Sequence, residues 1–356
     1  MIELDRDILQ FSIPEVRHFA RFSISFQRTL RIPDDGTDYP LPPGFQNFPL
    51  VHVDDYSQKV LYSWVEHGGV ILPMYQSEAL WINFTGRSYH KRIPERNRVL
   101  RFPEYPFAIK VATGKINALT GEPWHESLQK DPQDYMVSTE QPWLDGYCVE
   151  KGVVRQFVAM PLGAGYTAEE QLTGEAQHGG LQILAYPMKR KSYERIFPPE
   201  EIKDPLSEDL EDHYPVYDDE YYTDSNEMGL APGGRMRQQI YEDPFGIEEW
   251  DLDYKSRCFV HIVNSSRWEK ITGKKPPNSP LAAVHYEYYE LPWFEYYSEG
   301  ADAINGSKKL SGLKSFIGTN LASRRPVLHT EEPFSPKNVK KLLFKHPKKN
   351  VREGSF

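Results

Sequence analysis

The sequence predicts a mainly β protein, a β-sandwich or open barrel with a few short helices. Three observations carry that expectation. Twenty-nine prolines and 24 glycines punctuate 356 residues, leaving few windows in which a helix of ordinary length runs uninterrupted. Between residues 21 and 188, about seven short segments rich in β-branched and aromatic residues alternate with tight-turn signals. Finally, 22 Tyr, 18 Phe and 7 Trp bury much area per residue, so a hydrophobic content of 39% still describes a folded chain, long enough to build a core without disulfides or metal.

The first strand signal spans residues 21–32, where Phe22, Ile24, Phe26, Leu30 and Ile32 keep period two and Arg28 is the exception. Pro33-Asp-Asp-Gly36 turns the chain into a proline-rich loop over 39–49. His52 and Asp54 share a face of a strand, but no third ligand accompanies them, so no metal is expected. Residues 70–84 read as the next strand, with Pro73 marking an edge or first position. Segments 105–112 and 115–119 pair as a hairpin around Thr113-Gly114.

The most determined stretch covers residues 143–188. The apolar, β-branched run 153–160 is a buried strand; Pro161, Gly163 and Gly165 turn it; Thr167 stands three residues before Glu170, the spacing of a capping box. Gly174 offers a left-handed stop, Gly179-Gly180 a reversal, and 181–186 a returning strand. Gly163-Ala-Gly165-Tyr-Thr-Ala168 also fits G-x-G-x-x-A. The helix behind it is too short for a crossover, and Glu169 and Glu170 stand where a pyrophosphate would bind, so the segment reads as a capped structural turn and no cofactor is expected. Gln156-Phe-Val-Ala-Met-Pro-Leu-Gly-Ala-Gly-Tyr166, with Pro142-Trp-Leu-Asp-Gly146 before it and Gly179-Gly-Leu-Gln182 after, resembles a family of uncharacterised hypothetical proteins over about residues 72–297. That resemblance implies no activity.

Charge divides the chain. Residues 199–227 hold twelve acidic residues and one lysine, net −11; residues 324–356 hold nine basic and three acidic, net +6. The acidic stretch lacks the alternating oxygen ligands and central glycine of an EF-hand loop and reads as a solvated, partly disordered insertion. A net charge of −9 argues against nucleic acid as the main partner. The acidic start Met1-Ile-Glu-Leu-Asp-Arg-Asp lacks the features of a secretory signal, and no membrane-spanning run occurs. Only Cys148 and Cys258 are present, so a cytoplasmic protein with two reduced thiols is expected. The expected organisation is a β-rich body over 1–198, the acidic insertion over 199–227, a second β-rich block over 228–300 packed on the first, and a basic tail over 301–356.

Catalytic templates fail: G-x-S-x-G, a Walker A loop and H-E-x-x-H are all absent. Cys148 with Glu150 and His178 is the one set that offers a thiol, an orienting carboxylate and a base, the basis for an alternative reading as a β-fold hydrolase or sugar-active enzyme. His125 beside Glu126 reads as a loop, because adjacent residues seldom converge. Residues 285–297 gather aromatics with glutamates; Tyr286, Tyr289, Trp293 and Tyr296 form an acidic, aromatic binding surface there. In the tail, Ser335-Pro336 starts a predicted amphipathic helix whose stripe of Val339, Leu342 and Leu343 lies beside Lys340 and Lys341. The favoured reading is a non-enzymatic binding or assembly protein. Its basic tail docks on the acidic, aromatic surface of the same chain, of a second copy in a homo-oligomer, or of a protein partner.

Overall fold

The computed structural model describes residues 1–93, 98–202, 227–276, 280, 286, 288, 293–299, 301–322, 335–336 and 339–345. Most of the acidic stretch, and Tyr289, lie outside them. The chain opens with β1 (Ile2–Asp5), β2 (Ile8–Ser12), β3 (Arg21–Thr29) and the short β4 (Asp38–Tyr39), β5 (Gln46–Asn47) and β6 (Val51–His52). Helix α1 (Tyr62–His67) leads into β7 (Val70–Met74), β8 (Ala79–Gly86), β9 (Tyr89–Ile93), β10 (Arg98–Phe102), β11 (Phe107–Thr113) and β12 (Ile116–Asn117). Next come β13 (Met136–Val137), β14 (Trp143–Leu144), β15 (Gly146–Glu150), β16 (Val153–Pro161), α2 (Ala168–Thr173), β17 (Leu181–Pro187) and α3 (Arg190–Ile196). The remainder holds β18 (Glu200–Ile202), β19 (Glu227–Arg237), β20 (Ser256–Asn264), α4 (Ser265–Thr272), β21 (Trp293–Glu299), α5 (Lys308–Ser311), α6 (Phe316–Ala322) and β22 (Val339–Lys345).

With 42% strand and 16% helix, the protein is mainly β with a few short helices, as its punctuation by proline and glycine predicts. Seventeen strands join in one hydrogen-bonded network; β9, β10 and β18 form a separate three-stranded sheet, and β21 and β22 a two-stranded one. Pairing in the large sheet is antiparallel except for β4 on β19 and β7 on β20. β19 pairs with β16, and β20 with β17 and β7, so strands from both β-rich blocks share one sheet.

The alternation in β3 turns Phe22, Ile24 and Phe26 into the main core. Arg28 breaks the pattern and is buried nonetheless, because Glu78 reaches it: Nε and Nη2 lie 2.8 and 2.5 Å from Glu78 Oε1. Glu78 stands in the turn that splits 70–84 into β7 and β8, where Ser77 adopts φ 67° and Glu78 Oε2 accepts from Tyr75 N at 2.9 Å. Pro73 sits inside β7, but β6 pairs only with Val70 and Ile71, so no described partner needs the missing Pro73 donor on that side.

The central unit follows its turn chemistry. Glu170 N donates to Thr167 Oγ1 at 3.2 Å and Thr167 N to Glu170 Oε2 at 3.1 Å, completing the capping box. Gly165 N donates to the other Glu170 oxygen at 2.7 Å, so the protein's own carboxylate fills the position a bound phosphate would take. Gly174 ends α2 in the left-handed conformation, and β17 returns antiparallel to both β11 and β20.

Two departures are instructive. Helix α3 has no side-chain cap and no sequence signal; tertiary contacts hold it, with Tyr193 stacked on Tyr105 at 4.3 Å and donating to Pro103 O at 2.6 Å. Residues 339–345, expected as an amphipathic helix, form strand β22 instead. Their i, i+3, i+4 apolar spacing yields to the backbone hydrogen bonds that β21 offers.

Beside the main core, a small separate cluster forms from Val53, Trp64, Ile71, Val263, Trp268 and Ile271 under α1 and α4.

Candidate functional site

The basic tail and the aromatic segment meet. β21 and β22 run parallel in a register from Trp293↔Val339 to Glu299↔Lys345. β21 is fixed to the body by Phe294, whose N and O exchange 2.8 Å hydrogen bonds with Leu41 O and N. Trp293 is buried, and its ring centroid lies 5.9 Å from that of Tyr286. Tyr286 is itself buried; its hydroxyl accepts from Leu30 N and donates to Pro43 O, each at 2.9 Å. It therefore anchors the segment instead of presenting a surface.

Glu295 is the electrostatic joint of this ribbon. Arg237 Nη2, at the end of β19, lies 2.7 Å from Glu295 Oε1, and Lys341 Nζ 4.0 Å from Oε2. Arg237 Nη1 also donates to Asp38 O at 2.6 Å, linking the ribbon to the large sheet. Val339 and Leu342 remain 39% and 38% exposed, and Lys340 and Lys341 are exposed as well. Neighbouring side chains on a strand point to opposite faces, so neither face of this part of β22 is covered. Among the described residues, the outer edge of β22 has no partner strand. An isolated two-stranded ribbon is marginal in water, and its open edge is a template for a further strand. Tyr296 and Leu343 stand opposite Leu342 and Tyr297 in the ladder.

Cys148, Glu150 and His178 lie in three different surroundings. Cys148 is buried in β15, and burial pushes its thiol up to about 12, so no thiolate forms at neutral pH. A register shift between Cys148 and Glu150 interrupts the ladder with β16. Glu150 faces solvent and takes a two-pronged contact from Arg235, at 2.9 and 3.1 Å, which holds its carboxyl below the usual range. His178 lies between α2 and β17, its ring centroid 6.1 Å from that of His67; its Nε2 is enclosed with no hydrogen-bond partner.

The sequence reading missed two polar constellations. Lys110, in the strand FAIKVAT, is only 1% exposed; its Nζ donates to Asp134 Oδ2 and Ser127 O at 2.6 Å and to His125 O at 2.8 Å. His125 turns away from Glu126 toward this pair, with Nε2 3.4 Å from Asp134 Oδ2 and Nδ1 3.0 Å from Ser127 Oγ. A serine, histidine and aspartate thus stand in line, yet the carboxylate is claimed at shorter range by the lysine ammonium. Lys110 reads as a staple for the 125–134 loop; burial lowers its pKa. Asp145 is the second: wholly enclosed, it accepts from Gln238 Nε2 at 2.7 Å, and burial pushes its carboxyl up to about 8. Neither partner is near in sequence, so no local signal announces either.

A cleft of about 720 Å³ opens where the 119–122, 130–135, 242–247 and 304–309 segments meet, with Leu119, Tyr135, Ile247 and Ile304 among its apolar lining. Its charges are of both signs: Lys309 pairs with Glu122 at 2.6 Å, and Asp243 Oδ2 accepts from Tyr135 and Trp250.

Among the described residues, no group of three or more His, Cys, Asp or Glu side chains is placed to hold a metal ion, and no helix is long and apolar enough to cross a membrane. Compared with family models, with curated proteins and with solved structures, the chain finds no significant match.

Proposed function

We propose that the protein is a cytoplasmic, non-enzymatic binding or assembly protein whose C-terminal ribbon captures an extended, acidic partner segment along the outer edge of β22. One observation supports this reading above the others: the tail strand lies in register on β21 with its outer edge open among the described residues and Val339, Lys340, Lys341 and Leu342 exposed. Strand addition supplies affinity through backbone hydrogen bonds, whatever the partner's sequence. Lysines at an edge repel a like-charged strand and select an acidic one. The net +6 of residues 324–356 extends that selection along the tail.

The test is binding of a fluorescent peptide of alternating Glu and Val, compared for the full chain and for a chain ending at residue 323. The full chain binds, more weakly as salt rises; the shortened chain does not. Equal binding by both, or none by the full chain at low salt, defeats the proposal.

A further inference from the structure

Three histidines converge on one short helix. Trp64, in α1, stacks on His261 of β20 with centroids 4.8 Å apart and planes 20° from parallel, and its Nε1 donates to Glu227 Oε1 at 3.0 Å. His67, at the end of α1, stacks on Phe259 at 4.8 Å. The carbonyl of Gly68, which caps α1, accepts from His261 Nε2 at 2.9 Å. The His67 centroid lies 6.1 Å from that of His178 and 6.5 Å from that of His261. Trp64 belongs to the small satellite cluster and not to the main core, so α1 can leave without dismantling the large sheet.

We infer that α1 is an acid-released clasp: protonation of His261 and its neighbours ejects Tyr62–His67 from the outer face of β20, while the rest of the fold persists.

His261 already spends Nε2 on the Gly68 carbonyl, so the added proton lands on Nδ1, in a residue that is 6% exposed and beneath a tryptophan ring. His67, from α1, opposes charge on both His261 and His178, Lys115 opposes it on His178, and the Arg257 guanidinium lies 5.2 Å over Phe259. Lys59 is engaged with Ile271 O, and Glu126 with Lys255 and Arg257. Glu66 is exposed on α1. Glu169, buried, and Glu227, half-buried, are the carboxylates of the cluster, and burial pushes both up, so they too take up protons on acidification.

Burial holds His261 down to about 4 and His178 below its ordinary value of 6.5; opening α1 restores the ordinary value. The closed form is therefore fully favoured above about 6.5 and loses that preference as pH falls toward 4. Raised carboxylates act oppositely, favouring closure on acidification, and add nothing further below their ordinary value of 4.5. His261 outweighs them at α1 because it makes both the ring stack and the Gly68 hydrogen bond, whereas Glu227 makes one contact and Glu169 touches α2 and its loops.

Hydrogen exchange of the 61–69 peptide in the full chain, corrected for intrinsic rates, tests this. One histidine moving from about 4 to 6.5 on opening predicts about a twentyfold loss of protection between pH 7 and pH 5. His261→Gln keeps a donor for Gly68 O but cannot titrate, and its loss stays within about threefold. The double variant His67→Gln with His178→Gln, at less enclosed positions, retains more than half of the wild-type loss, because burial is the larger cause of the His261 shift. Protection unchanged with pH in the wild type, a full loss in His261→Gln, or no loss in the double variant, overturns the inference.

Discussion

In the unit from β16 to β17, polar side chains such as Gln156 and Glu169 are enclosed and answered inside the fold. Glu170 closes a capping box, Glu169 accepts from His178 N at 3.3 Å, and Gln156, buried in β16, accepts from Ile32 N and donates to Leu30 O at 2.8 Å each. In the ribbon of β21 and β22, charged side chains are spread on a surface, and Glu295 serves two cations at once. The first arrangement is intolerant because an enclosed group that loses its partner is left without water to replace it. The second is tolerant, since solvent and salt stand ready at every position. A tolerant strand makes a poor foundation and a good recognition element.

Removing partners should grade this contrast. The largest loss belongs to the buried pair between β3 and the β7–β8 turn: Glu78→Ala removes the carboxylate held against the enclosed Arg28 guanidinium and lowers stability by about 3–5 kcal/mol in urea unfolding. Replacing both residues, Arg28→Met with Glu78→Leu, restores most of it. If Glu78→Ala costs under about 1 kcal/mol, the interior is wetter there than the burial of both side chains implies. Next comes Thr167→Ala, which removes the side-chain half of the capping box and costs about 1 kcal/mol by the same measurement. Smallest is Lys341→Ala, within about 0.5 kcal/mol of wild type because its pairing with Glu295 spans 4.0 Å across an exposed surface. A large loss there would erase the distinction between the two regions.

What the sequence made legible follows the same division. The mainly β fold, the capped turn at Thr167 and the left-handed Gly174 are written in adjacent residues, where turn chemistry and side-chain reach decide the outcome. Arg28 with Glu78, and Lys110 with Asp134, join residues far apart in the chain; Arg28 stands out in the sequence as a break in the apolar pattern, but nothing adjacent to either cation names its partner. The spacing of two between Cys148 and Glu150 would put both on one face of a regular strand, but the register shift between them breaks that rule. In the tail, Val339, Leu342 and Leu343 satisfy a helical period, and only the presence of β21 makes the extended form the better one. A short segment of ambiguous period takes its conformation from its neighbours.

The two thiols have a practical corollary. Cys148 and Cys258 are both buried, and burial pushes each up to about 12. An alkylating reagent at neutral pH finds neither, because it needs an accessible thiolate. A single cysteine introduced on the outside would therefore be the sole reactive handle, so a dye or spin label placed on β22 could report on the tail with the native cysteines left in place.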